Sequence, residues 1–191
     1  MRPNINTREY WNRIWQEEGL HTWRTYRFLF DRIVDLIPSQ SRVIDLGCGI
    51  GVLLKRLQEE KGCICLGVDI SDQAIALLQS QGLSGIASPL PCPPHLLSRL
   101  WGYKPHYVVA TELLEHLSDE HPFLVQVRYL LTHQEARGAL FAVPDNILGP
   151  EEEPEHQRKY TEESLARLLT PYFGEVRLEH HHSRLLAICT P

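Results

Sequence analysis

The sequence predicts an α/β fold in which a mostly parallel sheet of seven strands carries helices on both faces. Strand-like and helix-like runs alternate along most of its 191 residues, which is typical of parallel strands joined by crossover helices. A glycine-rich turn follows the first strand, and the last two strands leave no room for a helix between them. The predicted fold class is therefore a Rossmann-like sheet with an antiparallel final hairpin.

Hydrophobic periodicity gives the predicted elements in order. Apolar and β-branched runs predict strands, and apolar residues at helical spacing predict helices. The predicted strands span 42–46, 63–68, 84–87, 106–111, 138–143, 174–179 and 184–189. The predicted helices between them span 51–60, 72–81, 94–101, 120–132 and 161–170. Only Glu179 to Ser183 separates the last two strands, so we expect them to pair antiparallel.

Residues 7–37 predict two further helices, the second ending at Pro38. Aromatic side chains recur along them, namely Tyr10, Trp11, Trp15, Trp23 and Tyr26. They either cover a ligand pocket as a lid or pack the helices against the sheet, and Tyr10 and Trp11 are the best lid candidates. We expect one domain, 1–191, made of an N-terminal helical lid, 1–38, and a Rossmann-like core, 39–191.

Composition narrows the functional classes. The apolar fraction of 43% and the charged fraction of 23% are ordinary for a soluble globular protein. No apolar run reaches about 18 residues, and the N-terminus lacks a signal-peptide pattern, so we expect no membrane segment. Five cysteines without framework spacing favour reduced thiols and a cytoplasmic location. The net charge of −5 makes nonspecific nucleic-acid binding an unfavoured function.

The first predicted strand ends in the turn that carries most of the functional argument. The run Val43–Gly51 begins as a β-branched strand, contains an acidic residue, and then has glycine at alternate positions. A helical pattern follows at once. This is where an open α/β sheet lets a ligand approach the backbone, and a Cβ would block that approach.

The second predicted strand ends in Asp69, which lies 18 positions after Gly51. A carboxylate about 20 residues beyond a glycine turn is placed to accept hydrogen bonds from both hydroxyls of a ribose. Ile70 would then lie against the adenine, and Ser71 would cap the next helix. The alternative is an ordinary strand-end aspartate beside that cap.

The G-x-G-x-G spacing behind Asp45 resembles motif I of the class I S-adenosylmethionine (AdoMet) methyltransferases. The resemblance implies AdoMet as the cofactor. The resemblance implies a set of cofactor-binding residues, including two at the end of the fourth strand. They are Asp45, Gly47, Cys48, Gly49, Gly51, Asp69, Ile70, Ser88, Thr111 and Glu112. Family members often carry an acidic residue near Ser88 that holds the adenine amino group. With serine there, backbone contacts from 87 to 90 must hold the adenine, or it is held loosely.

The segment Val108–Leu117 resembles motif IV of the same family, with Pro105-His106 where Phe-Asp is usual. We expect Glu112, Glu115 and His116 to share one helical turn, since positions three and four apart are neighbours on a helix. His156, in the predicted loop 144–157, can close over the same site.

Two interpretations of these side chains remain open. A Glu-x-x-Glu-His run with a later histidine resembles metal-assisted O-methyltransferases, which implies Mg²⁺ or Mn²⁺ held by Glu112, Glu115, His116 and His156. In many class I enzymes without a metal, however, the Glu-His pair lines the cofactor pocket. His116 or His156 would then act as a catalytic base oriented by Glu115 or Glu112. The run His180-His181-His182 predicts a solvated loop rather than a metal site.

The preferred function is transfer of a methyl group from AdoMet to a hydroxyl of a small-molecule or glycan-type acceptor. A hydroxyl has a high pKa and needs a base or a metal, and both candidates are available here. Small-molecule acceptors are favoured over RNA because the chain is acidic. Two alternatives stay open: a metal-assisted RNA 3′-terminal 2′-O-methyltransferase, and a non-catalytic AdoMet-binding subunit of a partner enzyme. A nicotinamide-dependent oxidoreductase is disfavoured by the glycine spacing.

Overall fold

The computed structural model describes residues 4–19 and 26–191, and it confirms the predicted fold class. The strands are β1 (Arg42–Leu46), β2 (Ile64–Asp69), β3 (Ser84–Ala87), β4 (Tyr107–Thr111), β5 (Gly138–Pro144), β6 (Glu175–His181) and β7 (Arg184–Thr190). The helices are α1 (Arg8–Glu18), α2 (Arg27–Leu36), α3 (Val52–Lys61), α4 (Asp72–Ser80), α5 (Pro94–Gly102), α6 (His121–Leu130) and α7 (Glu162–Leu169). Trp23, one of the lid candidates, lies outside the described residues.

The sheet has the order β3-β2-β1-β4-β5-β7-β6, with β7 antiparallel to both of its neighbours. The strand order therefore reverses between the parallel neighbours β1 and β4, which creates a crevice at the carboxyl ends of these two strands. The register places Leu46 beside Val68 and Asp45 beside Val109. The glycine turn, Asp69 and the segment after β4 consequently meet at one edge of the sheet.

The two faces of the sheet are covered by different helices. On one face α5, α6 and α7 pack over residues such as Val108 and Phe141. On the other face α2, α3 and α4 pack over residues such as Val43 and Leu140. None of the described helices is long and apolar enough to cross a membrane.

The two N-terminal helices differ in how they pack. Four side chains of α2 are buried in the core, and they are Leu29, Phe30, Ile33 and Val34. In α1, by contrast, no side chain described in the structure is fully buried. Helix α2 is therefore a core element, whereas α1 lies on the outside of the molecule against α4.

The three consecutive histidines near the C-terminus do not converge. His180 contacts Asp145 and Glu162, while His181 contacts Glu179. His182 instead has its ring 4.6 Å from that of Phe28. The predicted loop is wrong for His180 and His181, which lie in β6, and the three side chains are held by separate partners.

Candidate functional site

The glycine turn after β1 is built so that side chains would collide with its neighbours. Gly49 has a φ of +51°, and a Cβ there would lie 2.7 Å from Cζ2 of Trp15. A Cβ on Gly47 would lie 3.0 Å from Cδ1 of Leu113. Glycine is required at Gly49 both by the left-handed backbone and by the closeness of the tryptophan ring.

The Asp69 carboxylate is fixed by the backbone on both sides. The Gly49 amide donates to Oδ2 at 2.9 Å, and the Ser71 amide donates to Oδ1 at 2.9 Å. Burial raises the pKa of Asp69, while the amide hydrogen bonds from Ser71 and Gly49 lower it. The Ser71 hydroxyl accepts from the Ala74 amide, so the predicted helix cap is confirmed. The carboxylate is thus held rigidly beside the glycine turn.

Asp45 is the second buried carboxylate at this edge of the sheet. Its side chain is buried, and Oδ1 has no hydrogen-bond partner among the described residues. Burial and the nearby Asp69 raise the pKa of Asp45 to about 8. A buried acceptor without a donor is costly, and such atoms are usually satisfied by a ligand or by water. Asp45 therefore suits a ligand that carries a donor or a positive charge, as AdoMet does.

Two cavities meet at this edge. The smaller, of about 180 Å³, is lined by Asp69, Ile70, Leu90 and Pro91 among others. The larger, of about 600 Å³, is lined by Asp45, Cys48, Thr111 and several aromatic side chains. Both cavities share the lining residues Trp11, Trp15, Gly47, Glu112 and His116. These five residues form the border between the two spaces.

Most of the residues expected to bind the cofactor line one cavity or the other, but two do not. Gly51 lies at the N-cap of α3, and Ser88 is buried. The Ser88 amide donates to the Asp69 carbonyl at 2.7 Å, and its hydroxyl donates to the Pro89 carbonyl at 3.0 Å. Neither polar group of Ser88 is turned toward the cavities. The part of 87–90 that reaches the smaller cavity is Leu90.

Glu115, His116 and His156 form a compact group beside the border residues. The ligand atoms that these three side chains offer lie within 4.8 Å of one another. Glu115 is buried, and neither of its carboxylate oxygens has a hydrogen-bond partner among the described residues. The two imidazole rings have their centroids 4.7 Å apart. The loop histidine thus joins the two residues of the segment after β4, as the sequence suggested it could.

Both histidines are oriented by backbone carbonyl groups. Nδ1 of His116 lies 3.3 Å from the Glu155 carbonyl oxygen, and Nδ1 of His156 contacts the Leu148 carbonyl oxygen. A carbonyl only accepts, so each Nδ1 carries a proton directed at its carbonyl oxygen. Burial and the neighbouring His156 lower the pKa of His116 to about 3, which keeps this imidazole neutral. Burial and the nearby Glu112 raise the pKa of Glu115 well above its usual range, so this carboxyl group favours a bound proton or a cation beside it.

Glu112 does not share a turn with the other two, so that prediction is wrong. It has a φ of +51° and precedes the single 3₁₀ turn Leu114–His116. Its Oε2 instead forms an ion pair with Arg184, lying 2.8 Å from Nε. Burial raises the pKa of Glu112 to about 7, although Arg184 acts to lower it. Glu112 lines both cavities, but it is not part of the group formed by Glu115, His116 and His156.

Arg184, at the start of β7, is a site residue that the sequence reasoning missed. Its guanidinium carbon lies 5.2 Å from the centre of the Tyr26 ring, and the side chain lines the larger cavity. The local sequence signal is weak, since a basic residue before an apolar strand is common at the end of a hairpin. The contact that matters is with Glu112, 72 positions earlier in the chain.

Helix α1 contributes aromatic side chains to the lining of both cavities. Trp11 packs edge-on against His116, with ring centroids 5.1 Å apart. Tyr10, Trp11 and Trp15 line the larger cavity, as do Tyr26 and Phe30 near the start of α2. The lid remains a prediction, and the position of α1 is consistent with it.

The sequence matches the family model described as "Methyltransferase domain" over residues 15–172. No curated protein sequence matches the chain. A protein from Pyrococcus horikoshii OT3 has 16% identity and a TM-score of 0.71, covering 93% of this chain and 95% of its own. A SAM-dependent methyltransferase from Archaeoglobus fulgidus has 16% identity and a TM-score of 0.68, covering 93% and 98%.

A third similar structure is a Haloferax volcanii protein solved in complex with the Trm112 methyltransferase activator. It has 12% identity and a TM-score of 0.70, with 94% of this chain and 96% of the other covered. At these identities the structural similarity shows only the fold, and the assignment to a family rests on the family match. The chain belongs to the methyltransferase domain family, in its class I, AdoMet-dependent branch. AdoMet as the cofactor is confirmed with it.

Proposed function

We propose that this protein transfers the AdoMet methyl group to a hydroxyl of a small-molecule or glycan-type acceptor. The observation that carries the proposal is the group formed by Glu115, His116 and His156 beside the border of the two cavities. A hydroxyl must lose its proton as it attacks. This group can accept that proton, or hold a cation that lowers the pKa of the hydroxyl.

The cofactor would span the border between the cavities. Asp69 would accept from the ribose hydroxyls in the smaller cavity, where Ile70 and Leu90 give apolar surface to the adenine. Asp45, in the larger cavity, would accept from the cofactor's ammonium group. The activated methyl group would then lie near Gly47, Trp11 and His116, the residues that both cavities share.

Glu115, His116 and His156 suit a divalent cation better than an isolated base. A carboxylate without a partner, buried beside two imidazoles, is unfavourable unless a cation or a proton lies between them. Glu115, His116 and His156 would hold the ion, and mixed oxygen and nitrogen ligands favour Mn²⁺ over Mg²⁺. A bound ion would lower the pKa of the acceptor hydroxyl. With a proton in place of the ion, His116 or His156 would serve as the base.

The larger cavity would take the acceptor. A volume of about 600 Å³ is within the ordinary range for small-molecule sites. Aromatic side chains from α1 and α2 line it together with the paired Glu112 and Arg184. This lining favours a compact acceptor with a planar or apolar part over a nucleic acid, since Arg184 is the single Lys or Arg in the described lining.

The first experiment measures AdoMet binding by calorimetry. We expect the wild-type protein to bind, and Asp69→Ala to lose about 1.5–3 kcal/mol of binding free energy through the lost charge-assisted hydrogen bonds. The second measures methyl transfer from labelled AdoMet to panels of phenols, sugars and RNA oligonucleotides, with EDTA or with added Mn²⁺.

The outcomes separate the candidate functions. Labelling of phenols or sugars that EDTA abolishes and Mn²⁺ restores supports the proposal with its cation. Labelling that EDTA does not affect leaves the proposal with a histidine base. Labelling confined to RNA favours the RNA 3′-terminal 2′-O-methyltransferase. AdoMet binding with no transfer to any panel favours a partner-dependent role, in line with the similar Haloferax volcanii protein, which was solved with an activator.

A further inference from the structure

Asn6, just before α1, connects the two segments that carry the histidines. Its Nδ2 donates to the His116 carbonyl at 3.0 Å and to the Glu155 carbonyl at 2.7 Å. These partners are 110 and 149 positions away in the chain, and Glu155 immediately precedes His156. One side-chain amide thus spans the gap between the segment after β4 and the loop after β5.

The chemistry of these contacts fixes the orientation of the amide. Both partners are carbonyl oxygens, which only accept, so the nitrogen of Asn6 and not its oxygen must face them. The Asn6 side chain is held in turn by Asn4, whose Oδ1 accepts from Nδ2 at 2.8 Å and from the Asn6 backbone amide at 3.0 Å. A carboxylate at position 6 would have the same shape but would repel both carbonyl groups.

A backbone hydrogen bond joins the same two segments next to Asn6. The backbone amide of Gln157 donates to the Glu115 carbonyl at 2.7 Å. The Glu155 carbonyl, which Asn6 binds, also contacts Nδ1 of His116 and so sets the protonated nitrogen of that ring. Loss of the Asn6 contact would therefore loosen both the spacing of the two imidazoles and the orientation of one of them.

We propose that Asn6 is a positioning residue for the group Glu115, His116 and His156. It holds the loop after β5 against the turn after β4, so that the ligand atoms of Glu115, His116 and His156 stay within 4.8 Å of one another. This inference rests on the proposed function in one respect, namely that the group binds a cation. Groups that orient metal ligands typically change metal affinity about 10- to 100-fold when they are removed.

The test compares Asn6→Asp and Asn6→Ala with Asn12→Ala. Asn12 is the matched control because its Oδ1 holds α1 to α4, accepting from the Ser71 hydroxyl at 2.7 Å, and makes no contact with either histidine segment. The readouts are hydrogen exchange of the Gln157 amide, Mn²⁺ affinity and AdoMet affinity. We expect both Asn6 variants to exchange Gln157 at least about 10-fold faster and to bind Mn²⁺ about 10- to 100-fold more weakly.

AdoMet affinity of the Asn6 variants is measured separately, because Asn6 also lines the smaller cavity. Asn12→Ala should show wild-type Gln157 exchange and Mn²⁺ affinity. Wild-type Gln157 exchange in Asn6→Asp would overturn the inference, and so would faster exchange with unchanged Mn²⁺ affinity. Equal effects from Asn12→Ala would also overturn it, because they would reflect a general loosening of α1. A wild-type protein that binds no Mn²⁺ removes the cation from the proposed function, and Gln157 exchange then decides the role of Asn6 by itself.

Discussion

Asp45 shows at the scale of one residue how a binding site is kept at a cost to stability. The carboxylate is buried at the end of β1 with one oxygen lacking a partner, and burial together with Asp69 raises its pKa to about 8. In an unfolded chain an aspartate has a pKa of about 3.9. Between these values the folded protein binds a proton that the unfolded chain releases, so this residue lowers the free energy of unfolding as the pH rises.

Replacing Asp45 by asparagine removes this ionisation with little change in shape. We expect Asp45→Asn to gain stability relative to wild type as the pH rises from 5 to 8, by about 1–3 kcal/mol, because the variant has no buried charge to form. AdoMet affinity should fall about 10-fold or more. Urea unfolding at the two pH values and calorimetry with AdoMet check this. Asp35→Asn, at an exposed position, is the control variant. An equal stability difference between Asp45→Asn and wild type at pH 5 and pH 8 would contradict this explanation.

At the scale of elements, the position of α1 depends on the glycine turn. Trp15 rests against Gly49, while Asn12 accepts from the Ser71 hydroxyl and from the Gln73 amide at 3.2 Å. The helix is therefore held at two points, both beside residues expected to bind the cofactor. Its contact with the sheet is through this site rather than through the core, because α1 contributes no fully buried side chain among those described.

We expect Gly49→Ala to cost about 1–2 kcal/mol of stability and to weaken AdoMet binding at least about 10-fold, since the residue has a positive φ and its Cβ would meet Trp15. Adding Trp15→Ala should recover about 0.5 kcal/mol or more of the stability, as neighbouring sites couple. Gly82→Ala is the control: its φ is +80°, and nothing lies within 4 Å of the new Cβ. Full additivity of the Gly49 and Trp15 changes would show that the ring does not rest on the turn.

At the scale of the whole molecule, an ion pair joins the N-terminal helices to the final hairpin. Nε of Arg32 in α2 lies 2.8 Å from Oε2 of Glu179 in β6, and both side chains are partly buried. The hydrogen bond from Arg32 is the main reason that the pKa of Glu179 lies well below its usual range. A depressed carboxylate pKa stabilises the fold above the pKa of the unfolded chain, about 4.3, and this stability is lost as the pH falls below it.

Arg32→Gln should therefore lower the free energy of unfolding by about 1 kcal/mol at pH 7, and by less in about 1 M salt, which screens the two charges. Arg8→Gln provides the comparison, because its ion pair with Asp72 is exposed and should contribute little. Urea titrations of the three proteins at pH 7, at low and at high salt, decide the matter. An equal cost of Arg32→Gln at both salt concentrations would mean that the residue acts through packing instead of charge.

The sequence by itself determined the fold class, the antiparallel hairpin, the cap at Ser71 and the glycine turn. Each depends on short-range features, namely hydrophobic period, turn chemistry and the space between elements, which the chain carries locally. The family and its cofactor followed from the same turn together with the Gly51 to Asp69 spacing.

Only the tertiary structure decided how the catalytic candidates are partnered. Glu112 turns toward Arg184 because its backbone leaves the helical region and β7 returns beside it. His156 reaches Glu115 because the loop after β5 is fixed by Asn6 and Gln157, contacts between segments far apart in the chain. Such contacts depend on how separate elements pack, and no local pattern specifies them.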